Sequence, residues 1–253
     1  MTDDFCPRIY AGDSLPHLKD MDDESVHVVA IDPPYNVGKA VWDKLGTRQA
    51  YRDWLLPYLT ECARVLKESG TFWCFGVQPT MRIAQAILED DLGLMFQNYV
   101  CCRAVQGGNN GHIMTRRHED ILVVSKGRPF FNRNATVMER ELQNVRKYRG
   151  KTYNTKRISD NWDANPLLGK ERIGHPTQKS LAVMRRIIRI SAPSDGIILD
   201  CFGGSGSTSV AAIELERHSI YMERDPRYVG IAGRRFSAAL SRMKLPGLFQ
   251  GEG

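Results

Sequence analysis

The stretch that most constrains the fold is Val26–Ile31, six residues reading VHVVAI that stop abruptly at Asp32-Pro33-Pro34. An apolar, β-branched run of that length reads as a strand buried on both faces, and such strands sit in parallel sheets covered by helices. A second run, Ile197-Ile198-Leu199, stops just as sharply at Asp200 and a Gly/Ser turn. Around these two runs strands and helices alternate. Arg8–Ala11 reads as a short strand ending at Gly12-Asp13. Residues 48–67 carry Trp54, Leu55, Tyr58, Leu59, Cys62 and Leu66 at helical spacing, with Pro57 inside, and Ser69-Gly70 is expected to close that helix. Residues 71–75 form the next strand, Pro79 opens a helix to residue 90, and strands follow at 96–102 and 120–125. The pattern resumes with a helix at 178–191, the strand 196–200, a helix at 208–216, a strand at 218–222 and a last helix at 226–243. The expected class is α/β, with a mostly parallel sheet covered on both faces.

Between Gly127 and Gly174 this periodicity is lost, and Arg, Lys, Asn and Tyr dominate. Irregular stretches this long inside a compact domain are usually functional. The expected organisation is one domain in two halves, residues 1–127 and 175–253, with 128–174 inserted between them. The whole chain carries 35 Lys and Arg against 29 Asp and Glu, a net +6, whereas residues 128–157 hold nine Lys or Arg and two Glu, a net +7. A basic block of this kind suits a polyanion, nucleic acid first, although charge alone leaves a solvated surface loop equally open.

Other classes fall away. No run of eighteen apolar residues exists, which argues against a membrane helix, and the acidic start Met1-Thr2-Asp3-Asp4 is unlike a signal peptide, so a cytoplasmic protein with no membrane partner is expected. The six cysteines (Cys6, Cys62, Cys74, Cys101, Cys102, Cys201) form no C-x-x-C pair, so neither a metal site nor a disulfide framework is expected.

The turn after Asp200 reads Cys201-Phe202-Gly203-Gly204-Ser205-Gly206-Ser207-Thr208. Its glycines allow positive φ and close backbone approach to a ligand, at the carboxyl end of a strand where α/β sheets bind ligands. Glu223 follows at the end of the next strand, placed to bond ribose hydroxyls. The turn lacks the Lys of a phosphate loop, so a nucleoside ligand without a phosphate requirement fits it. Read singly, the glycines are equally a plain turn and Glu223 an ordinary acid before a helix.

Asp32-Pro33-Pro34-Tyr35 also reads, taken alone, as a loop that stops a strand. Its chemistry suggests more. A carboxylate and the stiffened carbonyl of Pro33 are two acceptors that together can receive both hydrogens of an amino group, and Tyr35 offers a ring for stacking. The lone pair of an aromatic amine is delocalised. Acceptors that pull its hydrogens out of plane restore nucleophilicity and aim the nitrogen at an electrophilic carbon. No Pro-Cys dipeptide is present to form a covalent intermediate with a pyrimidine ring.

Together these motifs resemble the β-group amino methyltransferases of DNA, the circularly permuted class in which D-P-P-Y precedes F-x-G-x-G. Gly12-Asp13, the run from Val26 to Asn36, Arg117-His118-Glu119-Asp120-Ile121-Leu122-Val123, His175-Pro176-Thr177-Gln178-Lys179, the loop from Asp200 to Thr208 and the stretch from Glu223 to Phe236 match in order over nearly the whole chain. The resemblance implies a Rossmann-like S-adenosylmethionine-dependent fold and methyl transfer from S-adenosylmethionine to an exocyclic amino group of a flipped base in double-stranded DNA. Asp32, Pro33, Pro34 and Tyr35 would be catalytic, with Asp32 and Pro33 holding the amino group and Tyr35 stacking on the base. Asp13, Asp200, Phe202, Gly204, Gly206, Ser207, Thr208 and Glu223 would hold the cofactor, with Thr177 and Lys179 near its carboxylate; Thr177 is equally a helix cap. Cys201 and Ser180 replace residues that are often Pro in the family.

In this family D-P-P-Y goes mostly with adenine N6, which makes N6-methyladenine the expected product and N4-methylcytosine the nearest alternative. RNA or protein methylation and an inactive DNA-binding relative are further alternatives. The basic insertion would be the target-recognition element, with Arg133, Arg140, Arg146, Lys147, Arg149, Lys151, Lys156 and Arg157 reaching phosphates and Trp162 anchoring its return to the body. No nuclease domain is read in the chain, so a stand-alone modification enzyme is expected, with a separate restriction nuclease as an allowed partner. A homodimer is compatible with the family.

Overall fold

The computed structural model describes residues 5–38, 43–78, 80–103, 117–132, 135, 146–148, 151–153, 159–163 and 178–244. The elements are β1 (Arg8–Ala11), α1 (Ser14–Lys19), β2 (Val26–Ile31), α2 (Arg48–Val65), β3 (Leu66–Gly76), α3 (Met81–Ala86), a π-helical turn (Ile87–Asp91), β4 (Met95–Arg103), β5 (His118–Ser125), β6 (Arg146–Tyr148), β7 (Lys151–Tyr153), β8 (Asn161–Asp163), α4 (Leu181–Ser191), β9 (Ile197–Asp200), α5 (Ser207–Glu214), β10 (His218–Glu223) and α6 (Pro226–Lys244). Eight strands form one sheet in the order β1-β10-β9-β2-β3-β5-β4-β8, and β6 and β7 pair separately as an antiparallel hairpin. Every pairing from β1 to β3 is parallel; β5 alone runs against its neighbours, antiparallel to both β3 and β4.

The strand alternation explains the double burial of β2. Val29 and Ile31 enter the cluster formed with Leu18, Leu55, Leu59 and Cys62 from α1 and α2. Val28 and Ala30 point the other way, into the cluster with Ile187, Ile188 and Ala211 from α4 and α5. Truncating one of these fully buried side chains, Leu59→Ala for example, would cost about 2–5 kcal/mol.

Three local features differ from the expected boundaries. β3 starts at Leu66, not after Ser69-Gly70, because Leu66 already pairs with Val26 before a register shift brings Thr71 opposite Val28. The helix expected up to residue 90 passes from α-helical to π-helical at Ile87, and Pro79, its expected opening, lies outside the described residues. α1 is an added turn capped by Asp13, whose carboxylate accepts from the Leu15 amide at 3.1 Å.

Part of the basic insertion is described. β8 extends the sheet by pairing with β4, and Trp162 there is 2% exposed, packed on Trp73 at 5.9 Å with the Arg186 guanidinium 4.9 Å from its ring. Arg146, Lys147 and Lys151 belong to the β6–β7 hairpin, whereas Arg133, Arg140, Arg149, Lys156 and Arg157 lie outside the described residues. Among the described residues no helix is long and apolar enough to cross a membrane, and no cluster of His, Cys, Asp or Glu could hold a metal ion.

Candidate active site

The centre of the sheet is a topological switch. From β2 the chain moves outward through β3; from β9 it moves the opposite way, to β10. β2 and β9 lie side by side, with Val28 opposite Ile198 and Val29 opposite Leu199. Their carboxyl ends therefore open onto one crevice, the place where open α/β sheets bind ligands. Asp32 leaves one strand and Asp200 ends the other. A cavity of about 510 Å³ spans both ends.

On the β9 side a glycine loop shapes the cavity wall. The Gly203 amide donates to the Met222 carbonyl at 2.9 Å, and a Cβ added at Gly203 would lie 2.3 Å from the Tyr221 ring, so the close approach of loop to β10 requires glycine. Gly206 has φ 76° at the start of α5, in the left-handed region that favours glycine. The Glu223 carboxylate accepts from the amides of Gly204 (2.8 Å) and Asp225 (2.7 Å), which fixes it at the cavity while lone pairs remain. Asp200 is 5% exposed and accepts from the Thr208 hydroxyl at 2.5 Å and the Phe202 amide at 3.2 Å. Burial outweighs these bonds and pushes its pKa up to about 7. Burial also raises the Glu223 carboxyl above its ordinary value. Trp54 and Tyr58 of α2 meet Phe202 at 5.9 and 5.4 Å and complete an aromatic wall. Asp13 joins the same lining, with its carboxylate accepting from the Tyr58 hydroxyl at 2.9 Å.

On the β2 side the loop after Asp32 is held stiff. The Tyr51 hydroxyl donates to the Pro34 carbonyl at 2.9 Å. Asn36, at φ 54°, bonds Leu45 and Gly46, while Asp43 accepts from the amides of Asn36 and Val37. Pro33 is buried and Pro34 faces the cavity. Tyr35 is 7% exposed, and its hydroxyl lies against both Asp32 Oδ1 and Glu119 Oε1, the latter at 2.7 Å. Lys179 Nζ stands 2.6 Å from Asp32 Oδ2 and 3.1 Å from Glu119. Burial raises the Asp32 carboxyl, and the Lys179 ammonium opposes that rise. Burial alone would lower the pKa of Lys179, but the two carboxylates more than reverse this and keep it charged.

Ten of the residues singled out from the sequence line this cavity: Asp13, Asp32, Pro34, Lys179, Asp200, Phe202, Gly204, Ser207, Thr208 and Glu223. Pro33, Tyr35 and Gly206 do not line it, although each is next in sequence to a residue that does, and Thr177 lies outside the described residues. Lys179, expected beside a cofactor carboxylate, has its ammonium on Asp32 and Glu119. Sequence reasoning missed Glu119, Trp54 and Tyr58 as site residues. Lys179, already placed in the site from the sequence, was a signal that a protein carboxylate to pair with it should be sought. Cys201 is 2% exposed, with its sulfur 3.5 Å from that of Cys62 and its thiol pKa pushed up by burial.

The DNA methylase family model of N6 and N4 enzymes matches residues 26–234, from the start of β2 to the middle of α6. The chain belongs to the N6-adenine/N4-cytosine DNA methyltransferase family. Type II methyltransferase M.HpaI of Haemophilus parainfluenzae is 30% identical over 239 residues, covering 91% of this chain and 74% of the relative. DNA adenine methyltransferase YhdJ of Escherichia coli (strain K12) is 31% identical over 253 residues, covering 91% and 83%. The fold matches that of the cytosine-N4-specific PvuII DNA methyltransferase with a TM-score of 0.72 at 17% identity, over 95% of this chain and 94% of the other.

Enzymes of this family use S-adenosylmethionine, and the cavity suits it. Its volume falls in the range of small-molecule sites. Two carboxylates, the buried Asp200 and the half-buried Glu223, offer acceptors for an ammonium group and for ribose hydroxyls, and the ring of Phe202 offers an apolar face.

Proposed function

We propose that this DNA methyltransferase methylates the exocyclic N6 of adenine in double-stranded DNA. One observation carries the reading: an aspartate followed by Pro33-Pro34-Tyr35 ends the central strand β2 at the mouth of the cavity, beside the glycine loop of β9. The resemblance of D-P-P-Y to adenine-directed members supports adenine, and so does the name of YhdJ.

Asp200, Phe202, Gly204, Ser207, Thr208 and Glu223 would hold the cofactor. When bound, S-adenosylmethionine supplies an electrophilic methyl group on a sulfonium. The protein's part is orientation and electrostatics. Asp32 and the Pro33 carbonyl accept the two amino hydrogens and localise the nitrogen lone pair. Tyr35 stacks on the flipped base, and the Asp32 carboxylate receives the proton that the nitrogen gives up. The β6–β7 hairpin and the surrounding basic segment would meet DNA phosphates. A second copy of the chain or a separate nuclease would be additional partners.

The test is to incubate the purified protein with labelled S-adenosylmethionine and unmethylated duplex DNA, digest the DNA, and identify the labelled nucleoside by mass. N6-methyladenosine in its deoxy form is expected. Deoxy-N4-methylcytidine would replace the adenine assignment with the cytosine one.

A further inference from the structure

We propose that Glu119 is a positioning residue: it takes up the Tyr35 hydroxyl and shares the Lys179 ammonium, so that Asp32 can turn to the substrate's amino group. The inference rests on Asp32 being the amine acceptor and holds for adenine and cytosine alike.

A tyrosine hydroxyl has one hydrogen to donate. Tyr35 Oη lies within bonding reach of two carboxylate oxygens, Asp32 Oδ1 and Glu119 Oε1. It can serve one at a time. Asp32 is occupied on both oxygens, by Tyr35 on Oδ1 and by Lys179 on Oδ2. Each oxygen keeps a further lone pair, but one that already accepts from Tyr35 or Lys179 is a weaker acceptor for an incoming amino group, and the ion pair is the harder contact to give up in a pocket where the Lys179 side chain is only 11% exposed. Turning the Tyr35 hydroxyl away therefore makes Oδ1 the stronger acceptor. A buried hydroxyl left without an acceptor is costly, and Glu119 removes that cost by offering a second acceptor at 2.7 Å.

Lys179 makes this arrangement stable. Two half-buried carboxylates repel, and an ammonium with three hydrogens, 2.6 Å from one and 3.1 Å from the other, holds them together. The rings of Tyr35 and Phe75 wall the ammonium in, at 5.4 and 5.3 Å. Glu119 reaches this place because β5 is antiparallel: its amino end lies at the edge of the sheet where β2 and β3 end, with Asp120 opposite Gly76.

The test uses Glu119→Ala, Glu119→Gln, Tyr35→Phe and the double variant Glu119→Ala/Tyr35→Phe. Two quantities are read: the single-turnover rate of methyl transfer to unmethylated genomic DNA, and the affinity for S-adenosylhomocysteine. Glu119→Ala is expected to slow transfer about 100-fold, because Tyr35 then competes with the amino group for Asp32 Oδ1, with the product-analogue affinity within about twofold of wild type. Removing the hydroxyl as well should restore at least about tenfold of that rate, and Glu119→Gln, which keeps an acceptor oxygen, should lose no more than about tenfold. A double variant no faster than Glu119→Ala would overturn the proposal. Glu119→Gln as slow as Glu119→Ala would also overturn it, and that comparison serves if the alanine variant does not fold. Asp32→Ala with a wild-type rate would instead overturn the amine-acceptor reading itself.

Discussion

Two aspartates end two neighbouring strands, and their partners differ. Asp32 at the end of β2 faces a cation, Lys179, and a second carboxylate, Glu119. Asp200 at the end of β9 faces a hydroxyl and a backbone amide, with no cation among the partners described for it. Burial raises both; the Lys179 ammonium opposes the rise at Asp32, whereas the Thr208 hydroxyl and the Phe202 amide oppose it at Asp200. The difference suits the two roles proposed for them. A carboxylate balanced from within the protein can serve as an acceptor for a neutral amine. A carboxylate near pKa 7 is matched to a cation brought by a ligand, which would complete its ionisation.

The largest expected effect is on Asp32. Asp32→Ala should lower methyl transfer by at least about 1,000-fold, since it removes an acceptor that acts on the reacting nitrogen. Labelled-methyl transfer under single-turnover conditions measures this; a loss below about tenfold would erase the contrast between the two aspartates.

The second effect is on Asp200. Below pH 7 its carboxyl is largely protonated, so affinity for the cationic cofactor should rise with pH from about 6 to about 8 and flatten in Asp200→Asn, which should also bind about 30- to 100-fold more weakly at pH 8. Calorimetric titration across that range checks both. The same shift affects folding. Because the folded pKa lies above the unfolded one, the stability that proton uptake contributes is full below about pH 4 and is lost as pH rises through about 7. The melting temperature of the cofactor-free protein, measured against Asp200→Asn, should fall across that window.

A smaller effect sharpens the β9 side. Gly203→Ala should destabilise the protein by about 1–3 kcal/mol, because the new methyl meets the Tyr221 ring at 2.3 Å. Denaturant unfolding reads it directly. The smallest effect concerns the basic insertion: neutralising Arg146, Lys147 and Arg149 together should flatten the salt dependence of DNA affinity by about two to three in log–log slope, with cofactor affinity unchanged. An unchanged slope would move the phosphate contacts elsewhere on the protein.

Much of this contrast was legible in the chain itself. Abrupt ends of apolar runs at Asp32 and Asp200 mark strand termini, and strand termini carry ligands in α/β sheets. The glycine loop and Glu223 were readable for the same reason. What periodicity could not supply was adjacency. A buried strand announces that it has two neighbours without naming them, so the pairing of β2 with β9 came only from the fold. Glu119 was hidden by direction: the reversal of β5 turns its amino end toward the site, and nothing in HEDILVVS signals antiparallel pairing. Leu66 illustrates a third limit. Its spacing is that of the helix before it, yet tertiary pairing with Val26 makes it the first residue of β3.

The most direct test of the division between the two strand ends is cofactor binding to Asp32→Ala and Asp200→Asn, titrated side by side at pH 8. The account predicts that Asp32→Ala binds S-adenosylmethionine within about threefold of wild type while Asp200→Asn loses at least about 30-fold. Equal loss in both variants would contradict it.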